Sequence, residues 1–313
     1  MCLGKLKRPL CASFGVHSLN IISPCDHLVG RDSGCRFMSN CTIGAKIISR
    51  GNEFLLFKNK DFRRKNFNDQ LVIRDGVFAI AGTESWSERS ANSDVFSGFS
   101  IAVNSSGLAC CDSNVRMKPS AVNYDILTQK IAEECSTIDD AVDVVEKAVH
   151  AQRCSWGNIV VATKNEVAAF QVANHLKVFR HSTQTVRTNH HIRQGRRPIV
   201  YDGAVGTIKR YEVARRLLGK VENIDGVFSL LRSHEYGLNP FSICSHGRLN
   251  TVYGYVVHIK NNEVSFHVCR GNPCTGNFTA LHLDFEDEES LHMVAQAYPS
   301  RRRTQIQMKK QRR

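Results

Sequence analysis

Two apolar runs, Ile43 to Ile48 and Phe54 to Phe57, flank the turn signal Arg50-Gly51-Asn52. Runs of that length around a glycine-centred turn predict a β-hairpin spanning Cys41 to Phe62. Folding back carries Asp61, at the end of the second strand, to the neighbourhood of Cys41 at the start of the first. A thiol beside a carboxylate at a strand end is a candidate nucleophile lacking only a base. A free α-amine on Cys41 would supply one, if the chain were cut between Asn40 and Cys41.

Further segments follow in a recognisable order. They are Asn59-Lys60-Asp61, Gly98 to Leu108, Trp156-Gly157-Asn158-Ile159-Val160-Val161, Thr188-Asn189-His190, Ile243 to Gly247 and Gly271-Asn272-Pro273-Cys274. Together with Cys41-Thr42 this series resembles the N-terminal-nucleophile hydrolases. Within them it is similar to the group of isopenicillin-N acyltransferase and the choloylglycine and penicillin V amide hydrolases. The resemblance runs from Cys41 to Leu283. It implies a four-layer αββα sandwich of the α+β class, with two stacked antiparallel sheets covered by helices. It also implies a catalytic set of Cys41 as nucleophile, Asp61 holding the α-amine, Asn189 donating to the oxyanion, and Arg248 as the arginine near the nucleophile. Two positions depart from the family pattern. Lys60 replaces the tryptophan often found between the Asn and the Asp, and Asn40 stands where a small glycine would ease self-cleavage.

The expected chemistry follows from those residue types. An unperturbed α-amine titrates at about 7.7–8.0 and a thiol at about 8.5, so a proton moves easily between them near neutral pH. The thiolate would attack a non-peptide amide or a thioester, form an acyl-enzyme, and pass the acyl group to water or an amine. A small-molecule acyl substrate is the expected partner. No cofactor or metal is expected, because the chain has neither a Cys-x-x-Cys pair nor a nucleotide-binding glycine motif. The sequence is compatible with a homo-oligomer.

Periodicity organises the rest. Short strands are predicted near 71–73, 77–81, 99–103 and 108–111, then helices over 125–135 and from the capping signal Thr137-Ile138-Asp139-Asp140 onward. Strands return near 159–162, 167–172, 176–179 and 186–188. Helices over 207–218, with Gly219 as stop, and over 225–233 precede strands near 252–259, 264–269 and 280–283. Three segments result: 1–40, a propeptide or a leader created by a start placed upstream of Met38; 41–285, the hydrolase domain; and 286–313, a short helix and a disordered basic tail.

Composition bears on the rival readings. The chain has 313 residues, a formal charge of +13 and 12 cysteines. No apolar run approaches the roughly 20 residues of a membrane helix, and residues 1–37 hold no signal-peptide core, so the expected location is cytoplasmic. There the cysteines should be mostly inert thiols. Zinc is the rival, since Cys244, His246, His267, Cys269 and Cys274 could converge, His267 and Cys269 sharing one face of a strand; yet no pair forms the tight Cys-x-x-Cys knuckle of a structural site. Seven arginines and lysines crowd residues 301–313. They support an alternative reading, a non-enzymatic nucleic-acid-binding protein using its basic tail, but no aromatic residue follows Tyr298 to stack on bases, and a solvated tail is favoured. Cys2, exposed by removal of Met1, is a second candidate N-terminal nucleophile. The segment Lys5-Leu6-Lys7-Arg8-Pro9 does not continue as a hairpin strand.

Overall fold

The structure, a computed structural model, describes residues 39–63, 67–83, 96–116, 122–192 and 204–299. The expected hairpin is β1 (Ser39–Ser49) and β2 (Glu53–Phe62), joined through Gly51 at φ 77°. Four strands follow: β3 (Leu71–Arg74), β4 (Val77–Thr83), β5 (Phe96–Asn104) and β6 (Ala109–Arg116). The first helical pair is α1 (Tyr124–Glu134) and α2 (Ile138–Ala151). Then come β7 (Trp156–Ala162), β8 (Val167–Val172), β9 (Leu176–His181) and β10 (Gln184–Arg187). Helices α3 (Ala204–Leu218) and α4 (Ile224–Leu231) lead to β11 (Asn250–Lys260), β12 (Glu263–Arg270), β13 (Thr279–Leu283) and α5 (Glu288–Ala297).

The strands form two antiparallel sheets, ordered β10-β1-β2-β11-β12-β13 and β3-β4-β5-β6-β7-β8-β9. Ile43, Phe54, Leu56, Val257 and Phe266 of the first sheet pack on Phe78, Ile80, Ile101 and Val160 of the second. Leu127, Ile131, Ile138 and Val145 of α1 and α2 cover Ala79, Val161 and Phe170 on the second sheet's outer face. Ala214, Leu218, Val227 and Leu230 of α3 and α4 cover Leu55, Phe57 and Val256 on the first. Each fully buried side chain of this size contributes about 1.5–3 kcal/mol, so the two outer helical layers are held by burial on the sheets. The architecture is the expected αββα sandwich.

Local signals explain several boundaries. Thr137 caps α2 by accepting from the Asp140 N–H, and the Asp140 carboxylate accepts from the Thr137 N–H at 2.9 Å, a reciprocal capping box. Gly219 departs from expectation: it follows α3 without the left-handed backbone of a glycine stop. The helix instead tightens, with the Lys220 N–H donating to Leu217 O at 2.9 Å. Lys46 Nζ also donates to Leu218 O at 3.0 Å, satisfying a terminal carbonyl from outside the helix.

Strand β2 lies between β1 and β11 and is buried along its whole length, Lys58, Asn59, Lys60 and Asp61 included. No described helix is long and apolar enough to cross a membrane. The expectations for residues 1–38 and for the basic tail beyond Pro299 lie outside the described residues. Ser39 and Asn40 belong to β1.

Candidate active site

Strand pairing sets the geometry of the corner around Cys41. In the β1–β2 register Cys41 stands opposite Lys60 and Asn40 opposite Asp61. On the other side of β2, Asp61 stands opposite Thr251 of β11. Side chains alternate across a strand. Cys41 accordingly joins Ile43 and Ala45 in the core between the sheets. Asn59 faces the helical layer, where its Nδ2 donates to Leu231 O at 2.9 Å and Ile243 O at 3.0 Å. Asp61, two residues on, shares that face.

Asn189 reaches the corner from the segment after β10. Its Oδ1 accepts the Cys41 backbone N–H at 2.9 Å and Nη2 of Arg210 at 3.0 Å. Its Nδ2 donates to Asn114 O at 2.7 Å. Two independent donors therefore fix which end of the amide faces Cys41: the carbonyl oxygen. Thr207 of α3 anchors this segment by accepting the Asn189 N–H at 2.7 Å. Asp61 is fully buried; Thr251 Oγ1 donates to its Oδ1 at 2.7 Å, and its Oδ2 has no hydrogen-bond partner among the described residues.

Burial dominates the protonation of these groups. It lifts the Asp61 carboxyl to about 7, with the Arg210 charge and the Thr251 hydrogen bond opposing only in part. The Cys41 thiol is pushed up to about 11, first by burial; the nearby Lys58 ammonium pulls it back, while Asp61 and Asp112 push further. Lys58 itself is drawn down by burial, but Asp112, together with Cys41, Asp125 and Cys111, more than restores it and leaves the ammonium above its ordinary range. In the continuous chain Cys41 is therefore a thiol at neutral pH. His190, beside Asn189, is lowered to about 4 by burial and then by Arg210, and is neutral at pH 7.

Three of the four expected residues, Cys41, Asp61 and Asn189, converge. Arg248 does not join them. It is exposed on the loop before β11, just after Gly247 at φ 99°, and hydrogen-bonds to none of the three. The arginine in the corner is Arg210 of α3, buried, with Nη1 on Pro240 O at 2.8 Å and Nη2 on Asn189. Its signal in the sequence was periodic. Thr207, Arg210, Tyr211, Ala214 and Leu218 recur at helical spacing, so an arginine occupies the core-facing stripe of a helix. Lys58 was also missed as a partner of the thiol; it lies on the same face of the hairpin as Cys41.

The family model described as acyl-coenzyme A:6-aminopenicillanic acid acyl-transferase matches residues 48–273. The chain belongs to this family. Membership makes it an enzyme of the acyl-transferring class. The matched range takes in Asp61, Asn189, Arg210 and Arg248 and begins just beyond Cys41. Two solved variants of conjugated bile acid hydrolase from Clostridium perfringens are similar in fold. They give TM-scores of 0.49 and 0.48 at 8% and 10% identity, covering 79% and 78% of this acyl-transferase family member and 94% and 97% of their own chains. Comparison with curated proteins gives no match.

Proposed function

We propose that the enzyme is a cysteine N-terminal-nucleophile amidohydrolase or acyltransferase, matured by its own cleavage of the Asn40–Cys41 bond. The observation that supports this most is the treatment of the Cys41 nitrogen. Asn189 Oδ1 holds it, and Asp61 of β2, with one buried oxygen unfilled, stands opposite Asn40 of β1. A buried carboxylate oxygen without a donor is costly unless it is protonated or gains a cation. An α-ammonium generated at Cys41 would be that cation.

Maturation would begin with Cys41 Sγ attacking the Asn40 carbonyl carbon. The peptide C–N bond breaks as the C–S bond forms, and the thiol proton goes to the departing nitrogen. Water then hydrolyses the thioester, leaving a carboxylate on Asn40 and a free amine on Cys41. Residues 1–40 would be the released segment, and 41–285 the catalytic domain. In turnover the new amine takes the thiol proton and returns it to the leaving group, and Lys58 favours the thiolate electrostatically. Asp61 and Asn189 Oδ1 hold the amine, and we assign the oxyanion donor to Asn189 Nδ2.

The substrate is proposed to be a non-peptide amide or a thioester, with water the main acceptor. The family description pairs a thioester donor with an amine acceptor, which supports that class. The test is intact mass before and after incubation, followed by turnover of a panel of acyl amides and thioesters. The parent should start at Cys41 and lose activity on alkylation with iodoacetamide, while Cys41→Ala should stay uncut and inactive. Full activity with residues 38–40 still attached would overturn the proposal.

A further inference from the structure

Away from Cys41, four side chains from two loops meet, the long α4–β11 connection and the β12–β13 connection. His234 follows α4, Cys244 and His246 lie on the loop into β11, and Cys274 lies on the loop after β12. Their ligand atoms all lie within 4.8 Å of one another. His246 Nε2 is 2.9 Å from His234 Nε2, 3.5 Å from Cys274 Sγ and 3.7 Å from Cys244 Sγ. A tetrahedral zinc ion with Zn–S of about 2.3 Å and Zn–N of about 2.0–2.1 Å places its ligand atoms roughly 3.3–3.8 Å apart. The three separations from His246 Nε2 are near that spacing, and the remaining ones are within 4.8 Å.

We propose that His234, Cys244, His246 and Cys274 form a structural zinc site. Two thiols and two imidazoles are the donor set that favours zinc in tetrahedral geometry, and four protein ligands leave no open position for catalysis. Binding would ionise both thiols and release two protons, with each imidazole neutral and coordinating through Nε2, so the ion and its ligands sum to zero charge. A Cys244–Cys274 disulfide would account for the two sulfurs but not for two imidazole nitrogens aimed at the same point.

A second layer is in place. Asn272 Nδ2 lies 3.8 Å from Cys244 Sγ and donates to Ser245 O at 2.9 Å, orienting one ligand and the chain beside it. The site also has a route to the corner at Cys41. Ser245, between two of the ligands, donates its N–H to Thr251 Oγ1 at 2.8 Å, and Thr251 Oγ1 donates to Asp61. Zinc would thus lock the loop that positions Thr251 on Asp61. Of the residues the sequence grouped, His267 and Cys269 are outside the cluster; His267 Nε2 is instead paired with Ser265 Oγ at 3.0 Å.

The test uses untagged full-length protein, with metal content measured by mass spectrometry and cobalt added to chelator-stripped protein that circular dichroism shows to be folded. About one zinc per chain and the absorption of tetrahedral cobalt with thiolate charge transfer are expected. Cys274→Ser should weaken the charge-transfer band by about half, and His234→Gln should weaken cobalt binding by roughly tenfold or more. Both effects should occur with the fold intact. Stripped, folded protein that gives no thiolate–cobalt absorption would overturn the proposal. So would unchanged metal content in Cys244→Ser/Cys274→Ser, or a non-reduced mass lighter by two hydrogens after digestion to the Cys244–Cys274 pair. If every single variant fails to fold, zinc content and cobalt absorption of the parent decide the matter.

Discussion

The two faces of β2 treat buried charge in opposite ways. Toward the second sheet, Lys58 Nζ meets Asp112 Oδ1 at 2.8 Å, Ser100 O at 2.9 Å and Ser100 Oγ at 2.6 Å, one acceptor for each ammonium hydrogen. Lys60 on the same face pairs with Asp69 at 2.8 Å and lies 4.8 Å from the Phe67 ring centroid. Toward the helices, Asp61 has one oxygen satisfied and one not. A saturated buried ion resists change in its surroundings, whereas an unsaturated one can accept a new partner. One strand therefore carries a fixed cation for the thiol and a receptive anion for the nitrogen of the same residue.

Breaking the saturated face should have the largest effect on stability. Lys58→Met leaves Asp112 buried without its cation and should cost about 3–5 kcal/mol in urea unfolding. Adding Asp112→Leu should recover most of that loss. If the single variant is as stable as the parent, the pair is not what holds these strands together.

Asn189 sharpens the contrast because its two ends have different proposed duties. Asn189→Ala removes both and should lower kcat by roughly 10²–10³ with the fold retained. Asn189→Asp keeps an acceptor for the Cys41 nitrogen but loses the amide donor. If it falls as far as the alanine variant, the oxyanion duty dominates. Turnover near the parent's would assign Asn189 to holding the amine alone.

A smaller effect should appear in the pH dependence of stability, measured in a Cys41→Ala background so that the chain stays continuous. Folded Asp61 keeps its proton to about 7, whereas an unfolded aspartate loses it near 3.9. Between those values the folded state binds the extra proton, so this group's contribution falls as pH rises, by up to about 1.4 kcal/mol per pH unit. His190, His191 and His267, all lowered to about 4 by burial, act in the reverse sense and lose stability as pH falls from 6.5. Asp61→Asn should therefore steepen the loss of stability on acidification from 7 to 4. Parallel curves would mean that the carboxylate is already ionised in the folded chain. The smallest effect belongs to Arg248→Ala, whose exposed position predicts less than about a twofold change in turnover.

What could be read from the sequence was what neighbouring residues determine. The hairpin from Cys41 to Phe62 and the Thr137 cap are local, and both stand where turn and capping chemistry put them. Asp61 and Asn189 were legible through the order of their motifs. Arg210 was not, because a charged residue on a helix reads as solvent-facing unless the surrounding stripe is weighed with it. Nor was the burial of Lys58 and Lys60, since Asp112 and Asp69 arrive from other segments. His234 was missed beside the cysteines for a similar reason: its place near them depends on how α4 ends, not on its spacing from Cys244.

The position of β2 between β1 and β11 also orders events in time. Cys41, Asp61 and their shared hairpin leave the ribosome ahead of their partners: Thr251, which holds Asp61, and Ile243, which holds Asn59, come almost two hundred residues later. Until β11 docks, one edge of β2 has no partner and the Asp61 carboxylate stays in water, ionised and unrestrained. A nascent chain that stops short of β11 thus contains the proposed nucleophile and the bond it is proposed to cut without the surroundings that join them. Completion of the sheet would act as the clock for the proposed self-cleavage, and a truncated chain would remain uncut.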